Sequence, residues 1–266
     1  MLVKEVMTRD LIVVDKDASL SFAIELMVKN RVSRLLVLNN GKLVGILTER
    51  DILDRLGSSR IGTLQASSIH VSSAMTLNPI TIPPELDVVD AAKIMIEKKI
   101  SGLPVVEKDE LVGLVTKSTM TKLCSKVKTI TVSQLMTPNP ITIPPYEKIT
   151  NARRIMLEKG ISSLPVIESG QLVGFVTEGM IARYLAEFRD AVPERYQDTR
   201  IKQIEVSNVM KMIPPLLPDE KISSAVEKFV KERIKAAPVV SKEGRLVGII
   251  TKTDFTRLVA NRFSLP

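Results

Sequence analysis

Thirty-seven residues separate Met7 from Val44, Met75 from Val112, Met136 from Val173 and Met210 from Val247, and each of these valines opens a Val-Gly pair. The pairs lie in four related stretches: LVGILTERD from Leu43, LVGLVTKST from Leu111, LVGFVTEGM from Leu172 and LVGIITKTD from Leu246. Four equal intervals in one chain mean four copies of one supersecondary unit, so any fold has to be reached by repetition.

The first copy sets the expected order of elements. Ile12–Val13–Val14 reads as a short β-branched strand. Ser19 offers an N-cap, and Leu20, Ala23, Ile24, Met27 and Val28 share one helical face, which predicts a helix over residues 20–30. Strands are expected at Leu35–Leu38 and Leu43–Leu47, joined by a turn at Asn39–Asn40–Gly41, and a second helix runs from Glu49 to Leu56. The second copy repeats this with Ile80–Thr81–Ile82, an Asp87-capped helix reaching Lys99, Leu103–Val106 and Leu111–Thr116. In the third, Ile141–Ile143 is followed by a helix to Lys159, then Leu164–Ile167 and Leu172–Thr177; the fourth, from Met210, has its turn at Lys242–Glu243–Gly244.

Each copy is therefore a βαββα unit of mixed α+β class. Bounds are expected at 1–57, 70–125, 130–188 and 204–263. A unit of this size buries too little surface to stand alone, so the copies are expected to pair, the first with the second and the third with the fourth, as modules 1–125 and 126–266. Of the spacers, 57–71 is Gly/Ser-rich, and 185–206 reads as a helical extension followed by a loop broken at Pro193.

Composition removes several chemistries. One cysteine and one histidine cannot make a disulfide framework or a metal cluster within the chain. Cys124 reads as a small buried hydrophobe and His70 as plain surface in a linker. No window approaches a membrane span, and the first copy begins almost at residue 1, so a cytoplasmic protein without a signal peptide is expected. The net charge of +8 is uneven, because residues 126–266 hold 22 Lys and Arg against 15 Asp and Glu. An anionic ligand, a polyanion, an acidic partner and an ordinary solvated surface all fit that excess.

The residues then match a known pattern. Met-Thr, Pro-Ile-Thr-Ile-Pro (Pro79–Pro83 and Pro140–Pro144), Ser-x-Leu-Pro-Val (Ser101–Val105 and Ser162–Val166) and Val-Gly-x-x-Thr together resemble the cystathionine-β-synthase (CBS) domain, four times over and across nearly the whole chain. The layout is similar to that of the γ-subunit family of AMP-activated protein kinase, with two Bateman modules. The resemblance implies a regulatory protein that binds AMP, ADP, ATP or another adenosine compound, S-adenosylmethionine included, and signals to a partner protein. It also implies a disc completed within one chain or by a homodimer.

The family's ribose motif, Gly-x-x-Thr/Ser-x-x-Asp, is kept at Gly45, Thr48 and Asp51 and at Gly248, Thr251 and Asp254. The middle copies retain Thr116 and Thr177 but carry Thr119 and Met180 in place of the carboxylate. A carboxylate at a helix start can accept both hydroxyls of a ribose, and the helix end favours a neighbouring phosphate. Thr-x-x-Asp is equally a capping box, which would stabilise the helix with no ligand. Capping is needed in all four copies and Asp stands in two.

Further binding residues follow from the resemblance. Arg34 and Lys235 precede or open a strand where phosphate contacts are placed. Clefts are expected to join Asp51 to Thr81 and Ser101, and Asp254 to Thr142 and Ser162, with backbone at Val13, Thr81 and Thr142 against an adenine. A ligand-free interaction scaffold is the alternative of a different class. Six Phe and three Tyr are too few for a nucleic-acid stacking surface. No cluster of His, Cys or paired carboxylates suggests an enzyme.

Overall fold

A computed structural model describes residues 1–58 and 64–261. Residues 59–63 of the first spacer and the last two residues expected for the fourth copy lie outside that description.

The first copy contains β1 (Val13–Asp15), α1 (Leu20–Asn30), β2 (Arg34–Asn39), β3 (Lys42–Thr48) and α2 (Glu49–Leu56). Ser19 caps α1 as expected, its Oγ accepting from the Phe22 N–H at 3.1 Å. The second copy contains β4 (Thr76–Leu77), α3 (Val88–Glu97), β5 (Gly102–Glu107), β6 (Glu110–Thr116) and α4 (Lys117–Leu123). Asp87 caps α3 through the Val89 N–H at 2.8 Å. The third copy begins with a single turn, α5 (Val132–Leu135), followed by β7 (Thr137–Pro138), α6 (Ile149–Lys159), β8 (Ser163–Glu168), β9 (Gln171–Thr177), α7 (Glu178–Ala191) and α8 (Glu194–Ile201). The fourth contains α9 (Ile222–Lys231), β10 (Ala236–Val240), β11 (Leu246–Thr251) and α10 (Lys252–Ala260).

Three expectations need correction. Ile80–Ile82 and Ile141–Ile143 are not strands: each makes one parallel bridge, Ile82 to Val105 and Ile143 to Val166. Prolines flank both runs and remove the donors a longer ladder needs. The proline-free run of the first copy does form β1, paired with β2 from Val13–Leu36 to Asp15–Leu38. The helix after Asp87 stops at Glu97 rather than Lys99. Pro193 opens α8 instead of breaking a loop, with φ −54° and no N–H to satisfy at a helix entry.

The described chain falls into two compact units. One holds Met1–Leu11, Pro79–Pro140 and the chain from Ile213, which brings the second copy together with the fourth. The other holds Ile12–Asn78 and Ile141–Met212, the first copy with the third. Each unit has its own core. Leu53 and Leu56 of α2 and Ile181 and Leu185 of α7 belong to the core shared by copies one and three. Met95, Met120, Phe229 and Phe255 belong to that of copies two and four, where the two phenyl rings meet edge to face at 5.1 Å. The units cut across the expected modules 1–125 and 126–266.

What links copies one and two is an exchange of their opening segments. β4 pairs with β3 of the preceding copy, Gly45 opposite Leu77. Thr8 bridges Leu114 of the following copy, with reciprocal bonds of 3.0 Å. Copies three and four do the same, through β7 against β11 and Lys211 against Phe175. The methionines of the 37-residue interval therefore pack on the glycine of the other copy. A Cβ on Gly45 would lie 2.6 Å from Met75 Sδ, one on Gly174 2.6 Å from Met210 Sδ and one on Gly248 2.5 Å from Met136 Sδ; Gly113 stands in the same relation to Met7. Only glycine leaves room for the sulfur.

Candidate functional site

The threonine of each copy ends the strand before the second long helix and caps that helix, so these side chains stand at equivalent places in all four copies. In the first copy the Thr48 N–H and Oγ1 both donate to Asp51 Oδ2, at 2.7 and 2.6 Å, and the Asp51 N–H donates back to Thr48 Oγ1 at 3.3 Å. The fourth copy repeats the first two bonds, Thr251 to Asp254 Oδ2, at 2.7 and 2.8 Å. The capping box weighed in the sequence is thus formed in both. It is formed in the second copy too, where Thr119 Oγ1 replaces the carboxylate and accepts from the Thr116 N–H at 3.2 Å. In the third, Thr177 Oγ1 alone accepts from the Met180 N–H at 3.3 Å. A carboxylate is not required to cap this helix.

The carboxylates are only half used by the cap. Oδ1 of Asp51 accepts no hydrogen bond from any described residue, whereas Oδ1 of Asp254 accepts from Arg257 Nη1 at 3.1 Å. Asp254 is 3% exposed. Burial raises both carboxyls above the ordinary aspartate value, against the opposing pull of the threonine bonds.

The strand paired antiparallel with the one that ends in the threonine starts beside the same helix head. Arg34 lies directly across the ladder from Thr48, and Ala236 across from Thr251. The Glu49 N–H donates to Ser33 O at 3.2 Å, and the Lys252 N–H to Lys235 O at 3.0 Å. Arg34 and Lys235 therefore do stand beside the motif of their own copy. Desolvation lowers the Arg34 guanidinium to about 10, partly offset by the charge of Glu49, so it stays cationic at neutral pH. Its Nη2 donates to Ser33 Oγ at 3.1 Å.

The remaining expected residues divide between the units. Val13, Thr142 and Ser162 share a unit with Arg34, Thr48 and Asp51; Thr81 and Ser101 share the other with Lys235, Thr251 and Asp254. Val13 lies on the edge strand of its sheet and is exposed, as are Thr81 and Thr142. Ser101 and Ser162 each accept, through their carbonyls, the first N–H of the following helix, from Lys117 at 3.1 Å and Glu178 at 3.0 Å.

The residue after the threonine escaped the sequence reading. It is Glu49 and Glu178 in one unit, Lys117 and Lys252 in the other. Arg50 Nη2 pairs with Glu178 Oε1 at 2.7 Å and donates to Ile161 O at 3.2 Å. Lys117 Nζ donates to Thr253 Oγ1 at 3.0 Å and Lys252 Nζ to Ser118 Oγ at 2.9 Å, a reciprocal arrangement across the α4–α10 contact. A comparison of the four copies column by column would have shown these like-charge pairs.

Elsewhere Cys124 is fully buried and its thiol is pushed up to about 12 by desolvation. His70 is exposed in its linker. Among the described residues no group of His, Cys, Asp or Glu could hold a metal ion, and no helix is long and apolar enough to cross a membrane.

Comparison with known proteins adds the family. The model of the CBS domain matches residues 3–58, 71–126, 132–187 and 206–261. Protein MJ1225 of Methanocaldococcus jannaschii is 28% identical over 257 residues, covering 90% of this chain and 91% of its own. Its crystal structure, described as that of a proposed archaeal homologue of γ-AMPK, superimposes with a TM-score of 0.84 at 25% identity, over 97% of this chain and 99% of that one. A conserved protein of Pyrococcus horikoshii has the same fold, with a TM-score of 0.63 at 21% identity over 97% of this chain and 100% of its own. A 33.4 kDa protein from the ribosomal RNA operon of Thermofilum pendens is 27% identical over 252 residues, 87% of this chain and 82% of its own.

Proposed function

Since the chain belongs to the CBS domain family, with four copies spanning nearly all of it, we propose that it is a regulatory sensor of adenosine compounds. AMP, ADP or ATP are the ligands put forward, with S-adenosylmethionine-type molecules as the alternative within that class. Thr48 with Asp51 and Thr251 with Asp254 hold the ribose, and Arg34 and Lys235 neutralise phosphate beside them. The observation that carries this reading is the unspent oxygen of Asp51. One carboxylate oxygen completes the cap, which a threonine completes as well in the second copy, while the other is left open on a partly buried acid. Retaining an aspartate there raises a desolvation cost that capping alone does not explain.

Likeness to MJ1225, itself described as a proposed γ-AMPK homologue, supports a regulatory rather than catalytic role. The exchanged opening segments support treating copies one and two, and three and four, as Bateman modules. In this proposal the ligand changes the balance between two arrangements of the chain by binding one better, and a partner protein reads the outcome in the cytoplasm. Association of two copies of the chain as a homodimer remains part of the proposal.

Titration calorimetry with AMP, ATP and S-adenosylmethionine tests the sites. Asp51→Ala and Asp254→Ala should each weaken binding by roughly 1–3 kcal/mol, the loss expected for a charged hydrogen-bond acceptor. Unchanged affinity in both variants would return the carboxylates to a capping role. No melting shift with any adenosine compound would favour the ligand-free scaffold; a ligand at a hundredfold excess over its Kd adds about 2.7 kcal/mol.

A further inference from the structure

The two intact motif copies share the threonine bonds to Oδ2 and differ at the other carboxylate oxygen. In both, Oδ2 is saturated by the threonine N–H and hydroxyl. A ribose offers two O–H donors, and Oδ1 has two lone pairs with which to accept them. At Asp51 both are open. At Asp254 one already accepts from Arg257, in an ion pair of 3.1 Å.

The difference traces to the residue three positions after the aspartate, which on a helix lies on the same face. In the fourth copy it is Arg257. In the first copy it is Asp54, whose carboxylate is engaged by Arg153 Nη2 at 2.6 Å, with further bonds from Arg153 to the Asp54 carbonyl at 2.8 Å and the Leu53 carbonyl at 3.0 Å. Asp54 cannot donate to Asp51, and its own charge is met from another side. The Arg257 side chain is 56% exposed while that of Asp254 is 4% exposed. A guanidinium reaching in from solvent to a buried acid can leave it again without opening the core.

We propose that Arg257 competes with the ligand for the Asp254 carboxylate and so sets the two motif copies to different affinities for the same diol-bearing molecule, with the Asp51 copy filling first. This rests on the ribose reading given above. It supplies a staggered response: as ligand rises, the first copy loads at low concentration and the fourth only once Arg257 has been displaced.

The test is calorimetry of the full chain with AMP as probe, on the wild type, Asp51→Ala, Asp254→Ala, Arg257→Gln and the Asp51→Ala/Arg257→Gln pair, with a melting curve for each. Asp51→Ala should weaken the tighter event and leave the weaker one, and Asp254→Ala should do the reverse. Arg257→Gln should tighten the weaker event roughly threefold to fivefold, the worth of an ion pair with one exposed partner, and the double variant should show that tightening with the Asp51 event weakened. If the aspartate variants behave this way but Arg257→Gln leaves the weaker event unchanged, or weakens it, Arg257 is a helix brace or a ligand contact and the inference fails while the ribose sites stand. If neither aspartate variant alters binding, the ribose reading fails first.

Discussion

At the scale of single residues, the two motif aspartates stand in opposition to the stability of the fold. Burial raises their carboxyls, Asp51 against bonds from Thr48 and the field of Arg50, Asp254 against bonds from Thr251 and Arg257. An acid whose folded value exceeds its unfolded one costs nothing while protonated. The cost appears as pH rises from the ordinary carboxylate range through the raised value, because the folded state then gives up a proton it holds more firmly than the unfolded chain does. Asp51→Asn keeps an oxygen for the Thr48 bonds and carries no charge. Urea unfolding from about pH 4 to about pH 7 should therefore show the variant gaining on the wild type as pH rises, even as nucleotide binding falls. A gap that shrinks with rising pH would mean the Asp51 carboxylate is stabilising as an anion. The motif itself was legible in the sequence, and so was the ambiguity between cap and ligand site. What could not be read was that one threonine cap uses a single carboxylate oxygen, since that depends on the side-chain rotamer and not on spacing.

At the scale of elements, spacing carried most of the information. The helices after Ser19, Thr48 and Asp87 begin where their caps stand, and the two-residue turns at Asn40–Gly41, Lys108–Asp109 and Ser169–Gly170 all have positive φ at both centres, as right-twisted hairpins require. The two misread strands share a cause. Apolar runs between prolines look like strands by β-propensity, but a strand is made by ladder donors that proline lacks. A second regularity lies in the valines: Val3, Val71, Val132 and Val206, four residues before each methionine, are all fully buried, and each carbonyl accepts from the methionine N–H at 2.8–2.9 Å. These turns aim the methionine at its glycine. Gly45→Ala and Gly174→Ala should each cost about 1–3 kcal/mol in urea unfolding, since the added methyl and the sulfur cannot share the space. Gly41→Ala meets no neighbouring atom but sits at φ 77°, so its loss should come from the backbone alone, about 1 kcal/mol. Equal costs at all three sites would argue against the methionine contact.

At the scale of the whole chain, sequence order and spatial grouping part company. The 37-residue interval is regular within each copy, yet the contact it encodes is made with the neighbouring copy, and periodicity is blind to that distinction. Grouping of the first copy with the third was equally hidden, because every copy offers the same kind of apolar face and the polar contacts that accompany the shared core come from unpatterned residues. Arg153 of α6 and Arg189 of α7 bond the carbonyls of Leu53 and Leu56 at the end of α2 at 3.0 and 2.8 Å. Gln197 of α8 closes the arrangement, accepting from Arg189 Nη1 at 3.0 Å. The opening segment offers a direct test of the exchange. Val3 is buried, its N–H donates to Leu86 O at 2.9 Å, and Thr8 ladders with Leu114. Deleting residues 1–11 should therefore speed amide hydrogen exchange at Leu114 and along β6, in the second copy, while β2 and β3 of the first copy keep their protection. Loss of protection at Leu36 and Ile46 instead would show the segment serving its own copy.

The exchanged segments also bear on how such a chain could have arisen and how it can be cut. A lone copy would leave its methionine without a glycine to cover and the outer edge of its last strand unpaired, so its simplest remedy is to trade ends with a twin molecule. The smallest heritable piece is then the doublet, and lengthening the gene by doublets keeps every trade inside one polypeptide, whereas gaining or losing a single copy would leave one end unclaimed.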